Sequence, residues 1–155
     1  MNDVALLGLL RRARRVSAAE WRDLGAARFA LWRAAVDVRI KPRGHFVSPS
    51  DASPEPPPDA AETYRATARG LALAVDRAAR LSLRSPSCLV RAVALRRLLQ
   101  NRGVQGSAIR VGVRMINGTF AAHAWVEWLG EDLGEPPRTI ATFSALPDVR
   151  VLPDS

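Results

Sequence analysis

The apolar pattern of this chain changes period near Gly103, and that change decides what it can fold into. Before it, apolar residues recur every three or four positions: Tyr64, Ala68, Leu71, Val75, Ala78 and Leu81, then Leu89, Val93, Leu95, Leu98 and Leu99. This spacing gathers them on one face of a helix. After it, Ile109, Val111, Val113 and Met115 alternate with Arg110, Gly112 and Arg114, as in a half-buried strand. Asn117-Gly118 is the strongest short hairpin signal, because both residues tolerate the left-handed backbone of a tight turn. The return strand is Thr119–Trp128. A second turn falls near Leu129-Gly130-Glu131-Asp132, and a third strand begins at Leu133 and is cut short by Pro136-Pro137. Ile140–Leu146 fits a short strand or a turn of helix equally well. Helices followed by an antiparallel meander predict an α+β fold.

Upstream, residues 2–15 read as a short amphipathic helix. Ser17-Ala18-Ala19-Glu20 matches a capping box and opens a helix through about Ile40, with Trp21, Leu24, Leu31, Ala35 and Val38 as its buried stripe. Pro42, Pro49, Pro54, Pro56, Pro57 and Pro58 then make an irregular, exposed segment. His45 lies in it with nothing nearby to orient the ring, and is read as solvated. A further helix is expected from about Ala60 to Leu83. The chain thus divides into an N-terminal helical part (1–40), a proline-rich loop (41–59) and a core (60–155) within one domain. Its 155 residues, 48% of them hydrophobic, suffice for one buried core.

The composition excludes several classes of function. Cys88 is the sole cysteine, so there is neither an intramolecular disulfide nor a zinc framework, and a reducing, cytoplasmic setting fits. The apolar run Val4–Leu10 is far too short to span a bilayer. It precedes Arg11, Arg12, Arg14 and Arg15, the reverse of a secretory signal. The net charge is +8, and Lys41 is the only lysine. The arginines are scattered rather than clustered with aromatic residues, which favours GC-rich coding bias over nucleic-acid binding. No ligand cluster calls for a metal and no Gly-rich loop for a phosphate, so no cofactor is expected.

Two residues stand out chemically. Cys88 follows Ser85-Pro86-Ser87, where Ser85 can cap a helix and Pro86 can fill its first position. That puts the thiol in a first helical turn, where unpaired N–H groups and the helix dipole favour the thiolate. His123 follows thirty-five residues later, within Phe120-Ala121-Ala122-His123-Ala124-Trp125-Val126-Glu127-Trp128. A helix-start cysteine followed by a strand histidine is the layout of a papain-like or transglutaminase-like nucleophile and base. Small neighbours at Ala121, Ala122 and Ala124 leave room for substrate. A third group must orient the imidazole, and Glu127, Asp132 and Glu135 are the acids at hand. Glu127 points alongside His123 on the same strand face, and Asp132 sits at the turn. Glu135 shares the His123 face if the loop is odd and turns away if it is even. The backbone N–H of Cys88 or a first-turn neighbour would hold the oxyanion.

The motifs Ser87-Cys88-Leu89-Val90-Arg91-Ala92-Val93-Ala94-Leu95, Leu98–Val104, Ile109–Arg114 and His123-Ala124-Trp125-Val126-Glu127 follow one another in a familiar order. Over residues 60–146 the chain resembles the transglutaminase-like leader peptidases of lasso-peptide biosynthesis. The resemblance implies a cysteine protease with a Cys-His-acid triad that removes the leader from a ribosomally made precursor. It places Cys88 and His123 on the first two positions, and Glu135 on a third where the family more often has Asp. It also implies a stand-alone protease with a separate PqqD-like leader-recognition protein, and an asparagine-synthetase-like cyclase that receives the freed core. Rival readings are another acyl transferase of the same fold, of transglutaminase or arylamine N-acetyltransferase type, and a non-catalytic module that binds the precursor.

Overall fold

A computed structural model describes residues 17–42, 46 and 58–146. The helix expected over 2–15, His45 and most of the proline-rich segment lie outside the described residues. The first helix, α1, spans Ala18–Ile40. Its capping box is complete: the Glu20 N–H donates to Ser17 Oγ (3.2 Å) and the Ser17 N–H to Glu20 Oε2 (2.7 Å). The buried face consists of Ala27, Ala30, Leu31 and Ala34, with Leu24, Ala35 and Val38 half-buried beside it. Trp21, expected in the stripe, is instead 55% exposed. Small alanines let neighbouring backbones come close, so α1 turns its alanine face inward and leaves the indole out.

The second helix, α2, spans Pro58–Arg80. Ala68, Leu71, Val75 and Ala78 are buried as expected, whereas Leu81 lies past the helix end and is 61% exposed. The helix stops early because Ser82 takes its last carbonyls. The Ser82 N–H donates to Ala79 O and its hydroxyl to Ala78 O.

The third helix, α3, spans Cys88–Asn101, two residues later than Ser85 and Pro86 imply. Ser87 is the N-cap, and its Oγ accepts from the Val90 N–H at 3.4 Å. At the other end, Gly103 (φ +69°) closes a Schellman motif: the Val104 N–H donates to Leu99 O and the Gly103 N–H to Gln100 O. Val90, Ala92, Val93, Ala94, Leu95, Leu98 and Leu99 are all buried. Burial on nearly every side makes α3 the central helix, packed between α1 and α2 and against the sheet.

The sheet has strands β1 (Ser107–Ile116), β2 (Thr119–Trp128), β3 (Glu131–Leu133) and β4 (Ser144–Ala145), with a short helix α4 (Pro137–Ile140) before β4. All pairings are antiparallel, in the order β3-β2-β1-β4. The segment that fitted strand or helix therefore contains a little of each. Asn117 and Gly118 both have positive φ, as a two-residue hairpin turn requires. The second turn is shorter than expected, consisting of Leu129 (φ +48°) and Gly130 (φ +78°) alone, so β3 starts at Glu131 rather than Leu133. Ala124, Val126 and Trp128 on one face of β2 join the helical core, and Trp128 is anchored by a 2.7 Å hydrogen bond from Nε1 to Gln105 O. The opposite face carries His123, Trp125 and Glu127. No helix among the described residues is long and apolar enough to cross a membrane.

The helical layer also carries an acid-sensitive pair of carboxylates. The Ser17 backbone N–H holds the Glu20 carboxyl below its ordinary value of 4.5, and the Arg97 side chain holds Asp37 below 3.8. Both groups bind protons more weakly folded than unfolded. Their contribution is therefore complete above those ordinary values and is lost as the pH falls through the lowered ones. The urea midpoint is expected to drop between pH 6 and pH 3, and to drop less in Asp37→Asn.

Candidate active site

Cys88 is the first residue of α3 and is half-buried as a free thiol. The first turn contains no acidic residue that would oppose a thiolate. Helix geometry leaves the N–H groups of Cys88 and Leu89 without intrahelical acceptors, a ready pair of donors for a developing oxyanion.

His123 lies on β2 with its side chain 16% exposed. Its Nε2 stands 3.7 Å from Glu135 Oε1, an ion-pair distance too long for a hydrogen bond. The same oxygen lies 3.4 Å from Arg91 Nη1, and Arg91 Nη2 donates to Asp76 Oδ1 at 3.3 Å. Arg91 stands one turn beyond Cys88 on the same face of α3. A chain of charges therefore runs from the cysteine's own helix, through Glu135, to the imidazole. Cys88, Arg91, Ala124, Trp125, Gly134 and Glu135 line one small cavity of about 20 Å³. Arg91 and Glu135 also form part of the wall of an open cleft of about 980 Å³ between α2 and residues 130–139.

The other two acids are engaged elsewhere. Glu127 Oε1 accepts from Arg110 Nη2 (2.9 Å) and Nε (3.2 Å), and Asp132 Oδ1 accepts from Trp125 Nε1 (2.8 Å). Among the three, only Glu135 lies against His123 in an ion pair. It arrives there by a route that side-chain parity did not anticipate. The two-residue turn is even, and in continued register Glu135 would fall opposite Ala124, on the helical face. The strand ends first. Gly134, at φ +82°, redirects the chain and brings Glu135 round to the histidine. A Cβ at Gly134 would meet Leu95 and Ala72 only at ordinary contact distance, so the backbone angle and not space calls for glycine.

Spacing alone did not expose Arg91, although its position three residues beyond Cys88 was a usable signal. Asp76 gave no signal, because its relation to Arg91 exists only once α2 and α3 are packed. Among the described residues, no group of three or more His, Cys, Asp or Glu could hold a metal ion.

A family model described as the transglutaminase-like superfamily matches residues 30–148. The match begins within α1 and takes in Cys88, His123 and Glu135. No curated protein and no solved structure matches the chain.

Proposed function

The chain belongs to the transglutaminase-like superfamily, and on that premise we propose that it is a cysteine peptidase that removes the leader from a ribosomally synthesised lasso-peptide precursor. The usual chemistry of the superfamily is acyl transfer through a cysteine. The finer assignment draws support from the motifs around Cys88 and His123 and from one observation above all: Cys88 and Glu135 line the same cavity while Glu135 reaches His123.

In this reading the Cys88 thiolate attacks the scissile carbonyl from the first turn of α3. The N–H groups of that turn receive the negative charge on the oxygen. His123, protonated, gives its proton to the leaving amine, and the core segment departs while the leader remains as a thioester on Cys88. His123 then takes a proton from water, whose oxygen attacks the thioester, and the thiolate leaves as the leader acid is released. Glu135 holds the imidazole in place and balances its charge. A separate PqqD-like protein presents the leader, and an asparagine-synthetase-like cyclase consumes the freed core.

Intact-mass analysis of the protein mixed with its precursor and leader-binding partner tests the proposal. Hydrolysis is expected to yield two fragments whose masses sum to the precursor plus one water. A mass gain on an uncut precursor would instead indicate crosslinking or acetyl transfer, and would overturn the peptidase reading.

A further inference from the structure

We propose that Gly112 and Phe143 build an aromatic clamp that fixes the plane of the His123 ring, which makes Phe143 a positioning residue. The catalytic consequence rests on the reading of His123 as the base; the clamp itself is a matter of geometry. The need for it arises from the acid. Nε2 of His123 is shielded from solvent and makes no hydrogen bond among the described residues, while Glu135 stands 3.7 Å away. At that distance the carboxylate supplies charge without the directional bond that would select one ring orientation.

Aromatic rings supply the direction instead. Phe143 lies 5.2 Å from the His123 ring, centroid to centroid, with 27° between the planes. Trp125 lies 6.2 Å away at 21°. Both separations fall in the range of attractive offset stacking. A near-parallel neighbour resists rotation about the Cβ–Cγ bond, because the turning imidazole must sweep its edge through that neighbour. A half-turn would put Cδ2 in the place of Nδ1 and Cε1 in the place of Nε2, so that carbon would face the acid and both nitrogens would leave the positions that serve the acid, the thiol and the substrate.

Each ring is held by something other than the histidine. The Trp125 indole donates to Asp132, at 2.8 Å. The Phe143 ring carries the Arg114 guanidinium 4.4 Å above it. Arg114 Nη1 donates in turn to Thr142 Oγ1 at 3.0 Å, beside Phe143 in the chain. Strand β4 then ties the segment to β1, with Ala145 opposite Gly112.

Gly112 makes the arrangement possible. It pairs with His123 across β1 and β2. A Cβ placed there would come within 2.9 Å of Phe143 Cβ and 3.0 Å of the Trp125 ring. The first distance is a clash and the second a contact too tight without a shift of the indole, and the backbone angle is not the reason for the glycine. Its missing side chain is the space into which both aromatic groups close beside the histidine.

The test compares Phe143→Leu, Phe143→Tyr and Gly112→Ala with the wild type. The chain has two histidines, so ¹⁵N-histidine labelling with a His45→Gln reference assigns the His123 nitrogens. Wild-type His123 is expected to show one ring environment. Phe143→Leu keeps much of the bulk but loses the ring, and is expected to broaden or shift both nitrogen signals. It should lower kcat by about 10–10²-fold, the loss typical of a slightly misplaced reacting group, with KM little changed. Phe143→Tyr should restore both readouts, and Gly112→Ala should act like Phe143→Leu. Unaltered nitrogen signals in both Phe143→Leu and Gly112→Ala, with each variant folded by circular dichroism, would overturn the clamp. Altered signals in Phe143→Leu and Gly112→Ala, beside a wild type that cleaves no precursor, would uphold the clamp while removing the peptidase reading.

Discussion

Cys88→Ala is expected to abolish precursor cleavage, lowering kcat by at least about 10⁴-fold, because it removes the atom that would carry the acyl group. The substitution suits this position structurally. Alanine is the best helix former, Cys88 is only half-buried, and the Ser87 cap that starts α3 uses none of the thiol. Folding and precursor binding should therefore survive, and the loss should appear in kcat with KM little altered. Cys88→Ser should fare almost as badly, since a hydroxyl at neutral pH is far less ionised than a thiol. Iodoacetamide provides an independent check. Cys88 is the sole cysteine, so a single added carbamidomethyl group marks it, and turnover should stop in proportion to labelling. Equal processing by Cys88→Ala and wild type would make the chain a non-catalytic module that presents the precursor to another enzyme.

The features of the fold that could be read in advance were those with a local cause. The shift from helical to alternating spacing, the Ser17–Glu20 box and Asn117-Gly118 each act within a few residues, and the helices and hairpin lie where these signals put them. Misplaced boundaries trace to competing or silent signals. Ser85 and Ser87 are both good caps, and Pro86 made the earlier one attractive; the chain uses Ser87 and leaves Pro86 in the approach. Leu129 adopts a left-handed backbone that its residue type does not advertise, so the second turn read two residues too long. On α1 the expected stripe lies against the core at Leu24, Leu31, Ala35 and Val38, and only Trp21 departs from it, because close helix packing there selects alanine over the indole.

The site divides along the same line. Cys88 and His123 could be singled out because one cysteine and two histidines leave few choices, and because a helix start and a strand are both local features. The acid could not be chosen by spacing, since its placement depends on where β3 stops and on the angle at Gly134. Arg91, Gly112 and Phe143 were legible only as a helix residue, a strand residue and part of an undecided segment. Their contacts with Glu135, Trp125 and His123 are made between elements, and no periodicity encodes them.

Removing the acid has the second largest expected effect, and its size follows from the geometry. Where a triad acid hydrogen-bonds its histidine directly, its conversion to the amide costs about 10⁴ in kcat. Here the carboxylate stands 3.7 Å from Nε2, and two aromatic rings flank the imidazole, so less of the orientation rests on the acid. Glu135→Ala is therefore expected to lower kcat by about 10²–10³-fold, between that limit and the loss of a minor contact. Glu135→Gln should lie close to Glu135→Ala, because the interaction is one of charge, and Glu135→Asp should recover part of the activity. Arg91 provides the control for mechanism. Its guanidinium holds the same Glu135 oxygen at 3.4 Å and is itself held by Asp76, so Arg91→Met should impair catalysis by freeing the carboxylate. If that is its route of action, Arg91→Met should add little in a Glu135→Ala background, whereas independent effects would multiply. Glu127→Gln separates the competing acids, since Glu127 is paired with Arg110 and should be replaceable within a few-fold. A large loss in Glu127→Gln beside a mild one in Glu135→Ala would move the orienting role to Glu127 and leave Glu135 as the anchor of Arg91.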